Sequence, residues 1–572
     1  MISQFEDLSN ELIYEIFEYL DYYHSYQGFF YLNSRFRSHF TQSTLPLKIN
    51  IDLTIQSNFN CFKQDIIIPN KQRIHSLRLS NCCMFHTNVF ILFDKISLRT
   101  LVLENIQPQY FVNILHQLKS LRYLSSLTIT IINYIKHRNS AYQLIFHLYS
   151  LRYCKLSLGS SRTLNLASNT TSEYSPIEYL IIDDGIDAND LSNLLSYVPH
   201  LRYFSANLSC EHGVLPTKLS YLNLKNLTHA SFRLCGVIIF DDLEQIFVNL
   251  FHSIEVLHFT SETNYINANK WKQLISSYLP RLRIFDVLFK DDVSNVQKEA
   301  FEEQVKLFQS SFWTERQWFF EYGIYHSGSR NQRILYSTNP YRRKYCIVHE
   351  RPHDITVRNE DRALYKSVKH VFVGNENDMN QYMYFFPSAI ELTLDNGFSI
   401  AAHASISIGL SRILPLQQLK TLIINLECFS VLNFIELLSS MPNLRTLTLK
   451  TMAFFKQNKI TLQRNEKLQL VSKTNNITNF TFLDACALNR VEIFVMLFPH
   501  LQHFKISNSM GDTKSMLQFL FHKTNENTRN LKLLCIDGIY YLHRLNLSIS
   551  SGTLSSDFKR AEIGSKSFID NI

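Results

Sequence analysis

One short pattern recurs through most of the 572-residue chain: an apolar residue, two variable residues, an apolar residue, one variable residue and a last apolar residue. It reads L-R-T-L-V-L at 98–103, I-E-Y-L-I-I at 177–182 and L-R-T-L-T-L at 444–449. The first nine copies follow one another at steps of 24 to 28 residues. A near-constant step of this size indicates stacked repeats, each burying its apolar face against its neighbours. The copies begin at Ile74, Leu98, Leu124, Leu151, Ile177, Leu201, Leu227, Ile254, Leu282, Val368, Ala389, Leu419, Leu444, Ile477, Leu501 and Leu531.

Each repeat predicts a strand followed by a return helix. The last two apolar positions of a copy are separated by one variable residue, and this alternation indicates a strand with one buried face. Upstream of several copies, apolar residues recur at helical spacing and stop at a proline two residues before the next copy, where a helix cannot continue. We therefore predict an α/β fold, a curved solenoid with parallel strands on its concave side and helices on its convex side. The alternative is an irregular α/β domain. The prolines are Pro199, Pro280, Pro442 and Pro499.

The pattern resembles that of the leucine-rich-repeat family, whose L-x-x-L-x-L is met by most copies. The family places Asn or Cys three residues after the last of these apolar positions. Cys82 and Cys235 stand there, while Asn81 and Asn105 fall one residue early. The resemblance implies an architecture of this kind more than any particular subclass.

The first 45 residues predict a small helical module. Ser9 or Asn10 can cap a helix in which Glu11 lies favourably in the first turn. Leu12 and Ile16 belong to an apolar stripe that is too broad for a helix covering a core on one side only. A bundle of about 40 residues with surplus apolar surface is marginal alone, so we expect it to bind a partner.

This segment resembles the F-box, the helical module that binds the Skp-type adaptor of cullin–RING ubiquitin ligases. Ser9 stands where the family usually has proline, and L-N-S-R-F at 32–36 stands where it often has tryptophan. The resemblance implies that the module binds the adaptor. The alternative is a helical cap on the first repeat, which stacked repeats need in any case. The positions that match the family's pattern are Leu8, Ser9, Glu11, Leu12, Ile13, Ile16, Phe17, Leu20 and Asp21.

The rest of the chain divides at breaks in the repeat series. Strict alternation at 45–55 predicts a strand that begins the sheet. The aromatic and polar stretch that follows the ninth copy contains Trp313 and Trp318, and it predicts an inserted hairpin or lobe that either contacts a ligand or is a locally packed loop. The predicted domains are a helical module at 1–45, a first repeat block at 46–290, an insertion at 291–365, a second repeat block at 366–548 and a flexible tail at 549–572.

The variable residues of the strands form the predicted partner-binding surface. The third residue of four consecutive copies is Tyr153, Tyr179, Tyr203 and His229. Neighbouring strands lie about 4.8 Å apart, so these rings are expected to stack in a row. The row suits protein recognition, and a ladder that only stabilises the sheet is the alternative. The same face is extended by Arg233, His258 and Asp286.

Composition narrows the function classes. The net charge of +8 is small for this length and the basic residues are scattered, which disfavours nucleic acid as a partner. The densest basic run, 342–344, predicts a solvated loop. Apolar runs are too short to span a membrane. The ten cysteines form no C-x-x-C pair, and acidic residues stand where a signal peptide would be basic, so we expect a cytoplasmic or nuclear protein.

One motif points to catalysis. His349, Glu350 and His353 fit H-E-x-x-H, in which two histidines of one helix bind zinc and the glutamate acts as general base. Pro352 lies inside the helix that this site requires, and the flanking residues look extended. We therefore predict a protein without catalytic activity, metal or cofactor, and keep a zinc hydrolase as a third hypothesis.

The resemblances together imply a substrate receptor of a cullin-based ubiquitin ligase, with the helical module on the adaptor and the solenoid on a protein target. Such a receptor works by proximity, because it raises the concentration of its target near the ubiquitin-charged enzyme. The second hypothesis is a repeat scaffold for protein–protein binding with no role in ubiquitin transfer.

Overall fold

The computed structural model describes residues 8–19, 22–42, 46–51, 63–80, 98–106, 108–131, 135, 138–159, 166, 174–210, 221–235, 238–261, 265–292, 298–327, 330–338, 341–349, 365–398, 406–425, 431–450, 466–485, 487–507, 513–520, 522, 526–531, 533–537 and 561–564. Its contacts divide the chain into two compact units, Met1–Val287 and Leu288–Ile572.

Unit 1, Met1–Val287, is built on strands that pair in the order of the sequence. The strands β1 to β9 are parallel to their neighbours, and β10 follows β9 in the sheet. As the alternation at 45–55 predicts, β1 forms the edge of the sheet. The strands are β1 Leu47–Ile51, β2 Ile74–Ser80, β3 Thr100–Ile106, β4 Ser126–Ile131, β5 Tyr153–Ser157, β6 Tyr179–Asp187, β7 Tyr203–Ser209, β8 His229–Leu234, β9 Val256–Ser261 and β10 Ile284–Asp292.

Among the described residues, three helices precede this sheet and five lie between its strands in the sequence. They are α1 Asn10–Tyr19, α2 Tyr22–Phe29, α3 Ser34–Gln42, α4 Pro108–Leu118, α5 Arg138–Phe146, α6 Leu191–Ser196, α7 Phe240–Leu250 and α8 Ala268–Tyr278. A π-helical turn, Lys63–Ile67, and the 3₁₀ turns Lys71–Arg73 and Ala188–Asp190 complete the unit.

The core of unit 1 follows from the strand register. The fourth residue of each copy pairs with the fourth residue of the next, and every one of them is buried. Burying one such leucine stabilises the fold by about 1.5–3 kcal/mol relative to leaving it in water. A repeat that slipped by one residue would turn this row toward solvent, so the pattern fixes the register. The row consists of Leu77, Leu101, Leu127, Cys154, Leu180, Phe204, Ala230 and Leu257.

Unit 2, Leu288–Ile572, begins in β10 and continues into an antiparallel hairpin of β11, Phe320–Ser327, and β12, Arg330–Ser337. Strand β12 pairs with the second half of β10, so this hairpin of the aromatic stretch packs against that strand. Trp313 lies before the hairpin, on the helix Ser311–Thr314. A second sheet follows, again parallel and in sequence order. Its strands are β13 Tyr345–Val348, β14 His370–Asn375, β15 Glu391–Gly397, β16 Thr421–Ile424, β17 Thr446–Leu449, β18 Asn479–Ala485, β19 His503–Ser507, β20 Leu533–Asp537 and β21 Ala561–Gly564.

Two strands of this sheet lie outside the predicted second repeat block. Strand β13 lies in the stretch 291–365, which was predicted as an insertion. The repeat pattern does not indicate this strand, because Arg343 occupies the position of the leading apolar residue. Strand β21 lies in the stretch 549–572 predicted as a flexible tail, and the rest of that stretch is outside the described residues.

The helices of unit 2 alternate with its strands. They are α9 Lys298–Leu307, α10 Ser311–Thr314, α11 Glu376–Gln381, α12 Ile406–Ile413, α13 Val431–Ser439, α14 Glu466–Thr474, α15 Leu488–Leu497 and α16 Thr513–Leu520, with 3₁₀ turns at Leu416–Gln418 and Glu526–Thr528. Each of the four predicted stop prolines falls after a helix end and before the next strand, which confirms that interpretation. The chain is an α/β protein with largely parallel sheets. None of the helices within the described residues is long and apolar enough to cross a bilayer.

Candidate functional site

The helices α1 to α3 hold part of the predicted adaptor-binding stripe inside their own bundle. Ile13 is fully buried, and the ring of Phe17 lies 5.3 Å from that of Phe29 and 5.2 Å from that of Phe40. Aromatic pairs at such distances each stabilise packing by about 0.5–1.5 kcal/mol beyond area burial. Phe17 is therefore mainly a core residue of the bundle. Its side chain is half-buried, so only part of it faces outward.

The outer face of α1 keeps apolar surface exposed. Leu12 is 47% exposed and Ile16 is half-buried. Two further apolar side chains, Tyr31 and Leu32 in the turn between α2 and α3, are also exposed, at 64% and 53%. Bundle packing thus leaves Leu12 exposed on α1, which is the feature expected of a partner-binding helix.

The start of α1 is polar and tied down. Arg35 donates from Nη2 to the Leu8 carbonyl oxygen at 2.6 Å and to Asn10 Oδ1 at 2.7 Å. The pKa of the exposed Glu11 carboxyl is lowered, first by a hydrogen bond from its own backbone N–H and then by one from the Ser9 hydroxyl. Leu8 is half-buried and Ser9 is exposed, while Leu20, the last residue of the predicted set, lies outside the described residues.

The same bundle is attached to the start of the repeats. The Tyr26 hydroxyl donates to Asp65 Oδ2 at 2.6 Å, and Arg73 Nη1 donates to the Phe40 carbonyl oxygen at 3.2 Å. Burial is the main reason why the pKa of Tyr26 is raised, and the hydrogen bond to Asp65 adds to it. The bundle therefore covers the first repeat and also presents an apolar face, so capping and docking are compatible.

On the sheet of unit 1, the register places the four predicted rings in one row. Tyr153, Tyr179, Tyr203 and His229 occupy directly paired positions on β5, β6, β7 and β8. The rings of Tyr179 and Tyr203 are stacked at 6.3 Å and 22°, and those of Tyr203 and His229 lie 6.3 Å apart at 34°. Tyr179 is 44% exposed, so this ring row is partly accessible.

The other predicted members of this face lie on neighbouring rows. Arg233 is exposed on β8, four residues after His229. It pairs in register with Thr260 on β9. His258 pairs in register with Ser231, and its Nδ1 lies 2.8 Å from Oδ2 of Asp286. The Asp286 side chain is buried, so it orients the imidazole of His258 rather than facing a partner itself.

A row of alternating charges on the same sheet was missed by the sequence reasoning. The second residue of each copy lies just before its strand, and in unit 1 these residues include Arg152, Glu178 and Arg202. The Glu178 carboxylate forms ion pairs with both arginines, with 3.2 Å between its Oε2 and Arg202 Nε. The same row ends in an ion pair of Glu255 and Arg283 at 3.5 Å. The signal was present in the sequence as the variable residue that follows each leading apolar residue.

His349, the first residue of the H-E-x-x-H motif, does not lie in a helix. His349 directly follows strand β13, and its buried ring contacts Tyr336 and Tyr382. Its Nδ1 lies 2.9 Å from the Ile347 carbonyl oxygen. Glu350 and His353 fall outside the described residues, among which no group of three or more metal-ligating side chains is found.

Around His349 lies a buried polar cluster. Glu321 accepts hydrogen bonds from the hydroxyls of Tyr336 at 2.9 Å and Tyr384 at 3.1 Å. Burial holds the pKa of Tyr336 and of Tyr382 well above its usual range. This network satisfies the phenols in a core, and it accounts for His349 as a structural residue.

No protein-family model matches the chain, and no curated protein matches it. The class that the structure defines is thus an α/β protein of parallel strands and alternating helices.

Proposed function

We propose that this protein is the substrate-recognition subunit of an SCF-type ubiquitin ligase, in which an F-box-like bundle binds the Skp-type adaptor and a leucine-rich-repeat-like solenoid binds a protein target. The observation that carries the proposal is the exposure of Leu12 beside half-buried Ile16 on α1, a helix whose Phe17 is already packed against Phe29 and Phe40. Apolar surface left on a small bundle favours a protein partner.

The repeated units support the second half of the proposal. Parallel strands that pair strictly in sequence order, with helices between them, are the arrangement expected of a solenoid. The half-exposed ring row of Tyr153, Tyr179, Tyr203 and His229 then offers amphipathic contact surface to a target.

The adaptor contact is tested with the full chain and purified Skp-type adaptor by isothermal titration calorimetry. Replacing Leu12 and Ile16 by Asp puts two charges into the contact, and we expect adaptor affinity to fall by at least about a hundredfold. The matched control is Leu470→Asp, because Leu470 is 62% exposed on α14. Adaptor binding should be unchanged in the control.

Two outcomes would contradict the adaptor role. One is a wild-type chain that does not bind the adaptor, and the other is equal binding by the wild type and the Leu12→Asp, Ile16→Asp variant. Either would favour the second candidate, a repeat scaffold whose first helices act as a cap. The hydrogen bonds from Tyr26 to Asp65 and from Arg73 to the Phe40 carbonyl support that candidate.

A further inference from the structure

In unit 2, the residues that come directly before the strands β13 to β17 form one row along an edge of the sheet. The N–H groups of Lys369, Ile390, Lys420 and Arg445 donate to the carbonyl oxygens of Lys344, Lys369, Ile390 and Lys420, respectively, at 2.6–3.0 Å. Lys344, Lys369, Ile390, Lys420 and Arg445 therefore follow one another directly, one residue per strand. We call these five residues the basic edge row.

The basic edge row differs in charge from the equivalent row of unit 1. In unit 1, Glu178 lies between Arg152 and Arg202 and pairs with both. In unit 2 four of the five residues are cations, and all four are exposed. Within the described part of the chain, none of these four has a carboxylate at ion-pair distance. Glu391, which follows Ile390, is paired with His370 at 3.5 Å.

The sequence does not show this cluster, because its members are far apart along the chain. Only Lys344 belongs to a visible basic run, 342–344, which predicts a solvated loop. The parallel register brings Lys369, Lys420 and Arg445 to the same edge. Like charges on adjacent strands repel one another, so the row is unfavourable in isolation and an anionic ligand would relieve the repulsion.

The dimensions of the row fit a short extended peptide. Four strand steps of about 4.8 Å separate Lys344 from Arg445, so the row is roughly 19 Å long. An extended chain advances about 3.3 Å per residue, so about six residues cover that length. The cations form two adjacent pairs, Lys344 with Lys369 and Lys420 with Arg445, on either side of half-buried Ile390. A matching peptide carries acidic residues at both ends and an apolar residue in the middle.

A nucleic acid fits this surface less well. Proteins that hold single strands combine cations with aromatic platforms on which successive bases stack. Beside the basic edge row, β13 and β14 begin with Tyr345 and His370, but both rings are half-buried and pack against Phe372. Strands β16 and β17 begin with threonine, and β15 begins with Glu391, whose carboxylate would repel a phosphate chain. Hydroxyl groups and a single carboxylate are better matched to the amides of a peptide.

We propose that the basic edge row binds an acidic segment of a partner protein, in extended form, with Asp or Glu over the two cation pairs and an apolar side chain over Ile390. This surface is separate from the ring row of unit 1. The inference rests on the charges and register of unit 2, and it holds whether or not α1 binds an adaptor.

The test measures fluorescence anisotropy of a labelled peptide, Asp-Glu-Ser-Leu-Ser-Glu-Asp, with the full-length protein. Neutralising Lys369 and Lys420 by the double substitution Lys369→Gln, Lys420→Gln should weaken binding by at least about tenfold and flatten its dependence on salt. The matched control, Arg152→Gln with Arg202→Gln, removes the same charge from the equivalent row of unit 1. We expect the control to change the dissociation constant less than about twofold.

Four comparisons decide the outcome. A peptide with Asn and Gln in place of its acids should not bind, and a peptide with Ser in place of Leu should bind more weakly. Equal loss in the unit 1 control would overturn the proposal, because attraction would then be non-specific. Tighter binding of a thymidine oligonucleotide of about six nucleotides would overturn it in favour of nucleic acid. Both double variants should bind the Skp-type adaptor as the wild type does, so a failure here is distinguishable from a failure of the ligase role.

Discussion

The hydroxyl of Tyr142 on α5 donates a hydrogen bond of 2.8 Å to Oδ2 of Asp184 on β6. The Asp184 carboxylate is buried and also accepts hydrogen bonds from the backbone N–H groups of Leu158 and Gly159, each at 2.9 Å. One carboxylate therefore joins a helix, a strand and the end of the preceding strand. Burial is the main reason why the pKa of Tyr142 lies well above its usual range, and the charge of Asp184 adds to it.

Replacing Tyr142 by Phe should destabilise the protein. The substitution removes a hydrogen bond to a charged, buried group and should lower the free energy of unfolding by about 1.5–3 kcal/mol. Urea denaturation measures this change. Tyr149→Phe is the matched control, because Tyr149 is 61% exposed and its variant should unfold as the wild type does. Equal stability of the two variants would show that the Asp184 contact contributes nothing.

The stacked rings of Tyr179 and Tyr203 should couple energetically. In a double-mutant cycle with alanine, we expect a coupling of about 0.5–1.5 kcal/mol in the free energy of unfolding. Tyr153 and Tyr203 are two strands, or about 9.6 Å, apart, so the same cycle on that pair should give a coupling near zero. A coupling of the same size in both pairs would contradict a row in which only neighbouring rings interact. The absence of coupling in both pairs would mean that the rings do not stabilise the sheet, which would favour a role in partner binding only.

Much of the fold was predictable because the repeat pattern indicates both the strand register and the ends of the helices. The leading apolar residues set the register, and prolines such as Pro280 and Pro499 end the helices before the next strand. Strand β13 was missed because Arg343 replaces the leading apolar residue, although the residues after it, Cys346 and Val348, still alternate inward. The prediction depended on the leading apolar residue of each copy. The strand itself forms without that residue, because its other apolar side chains are buried.

The site was only partly predictable, because exposure depends on tertiary packing. The sequence placed Ile13, Phe17 and Leu12 in one stripe, but only the bundle decides that Ile13 is core and Leu12 is surface. Likewise, the charges of Glu178 and Lys420 are visible in the sequence, but which neighbours they meet depends on a register between residues some 25 positions apart.

Buried tyrosines make the protein sensitive to alkaline pH. Burial raises the pKa of seven tyrosines, so in the folded protein they stay protonated above the ordinary value of about 10. The unfolded chain releases these protons first, so the stability that they contribute is full below pH about 10 and is lost progressively above it. The tyrosines are Tyr26, Tyr142, Tyr265, Tyr336, Tyr341, Tyr365 and Tyr382.

Tyrosinate absorbance near 295 nm against pH checks this expectation. These seven tyrosines of the described residues should titrate only as the protein unfolds, in one step that coincides with the loss of the far-ultraviolet circular dichroism signal. Titration of these seven tyrosines near pH 10, with the fold intact, would show that the buried phenols are solvated.

Replacing Leu180 by Ala tests whether the repeats stack as a solenoid. Leu180 is fully buried at the fourth position of its copy, between Cys154 and Phe204 in the row. The cavity should cost about 2–5 kcal/mol of stability. In a solenoid each repeat contacts only its neighbours, so amide hydrogen exchange should accelerate first in β5, β6 and β7.

The matched variant is Leu422→Ala, which makes the same change at the fourth position of its own copy, on β16 in unit 2. Here exchange should accelerate first in β15, β16 and β17. Uniform acceleration over each whole unit, in both variants, would contradict the solenoid. It would mean that each unit opens only as one cooperative core, because local opening in a stack must spread outward from the damaged repeat.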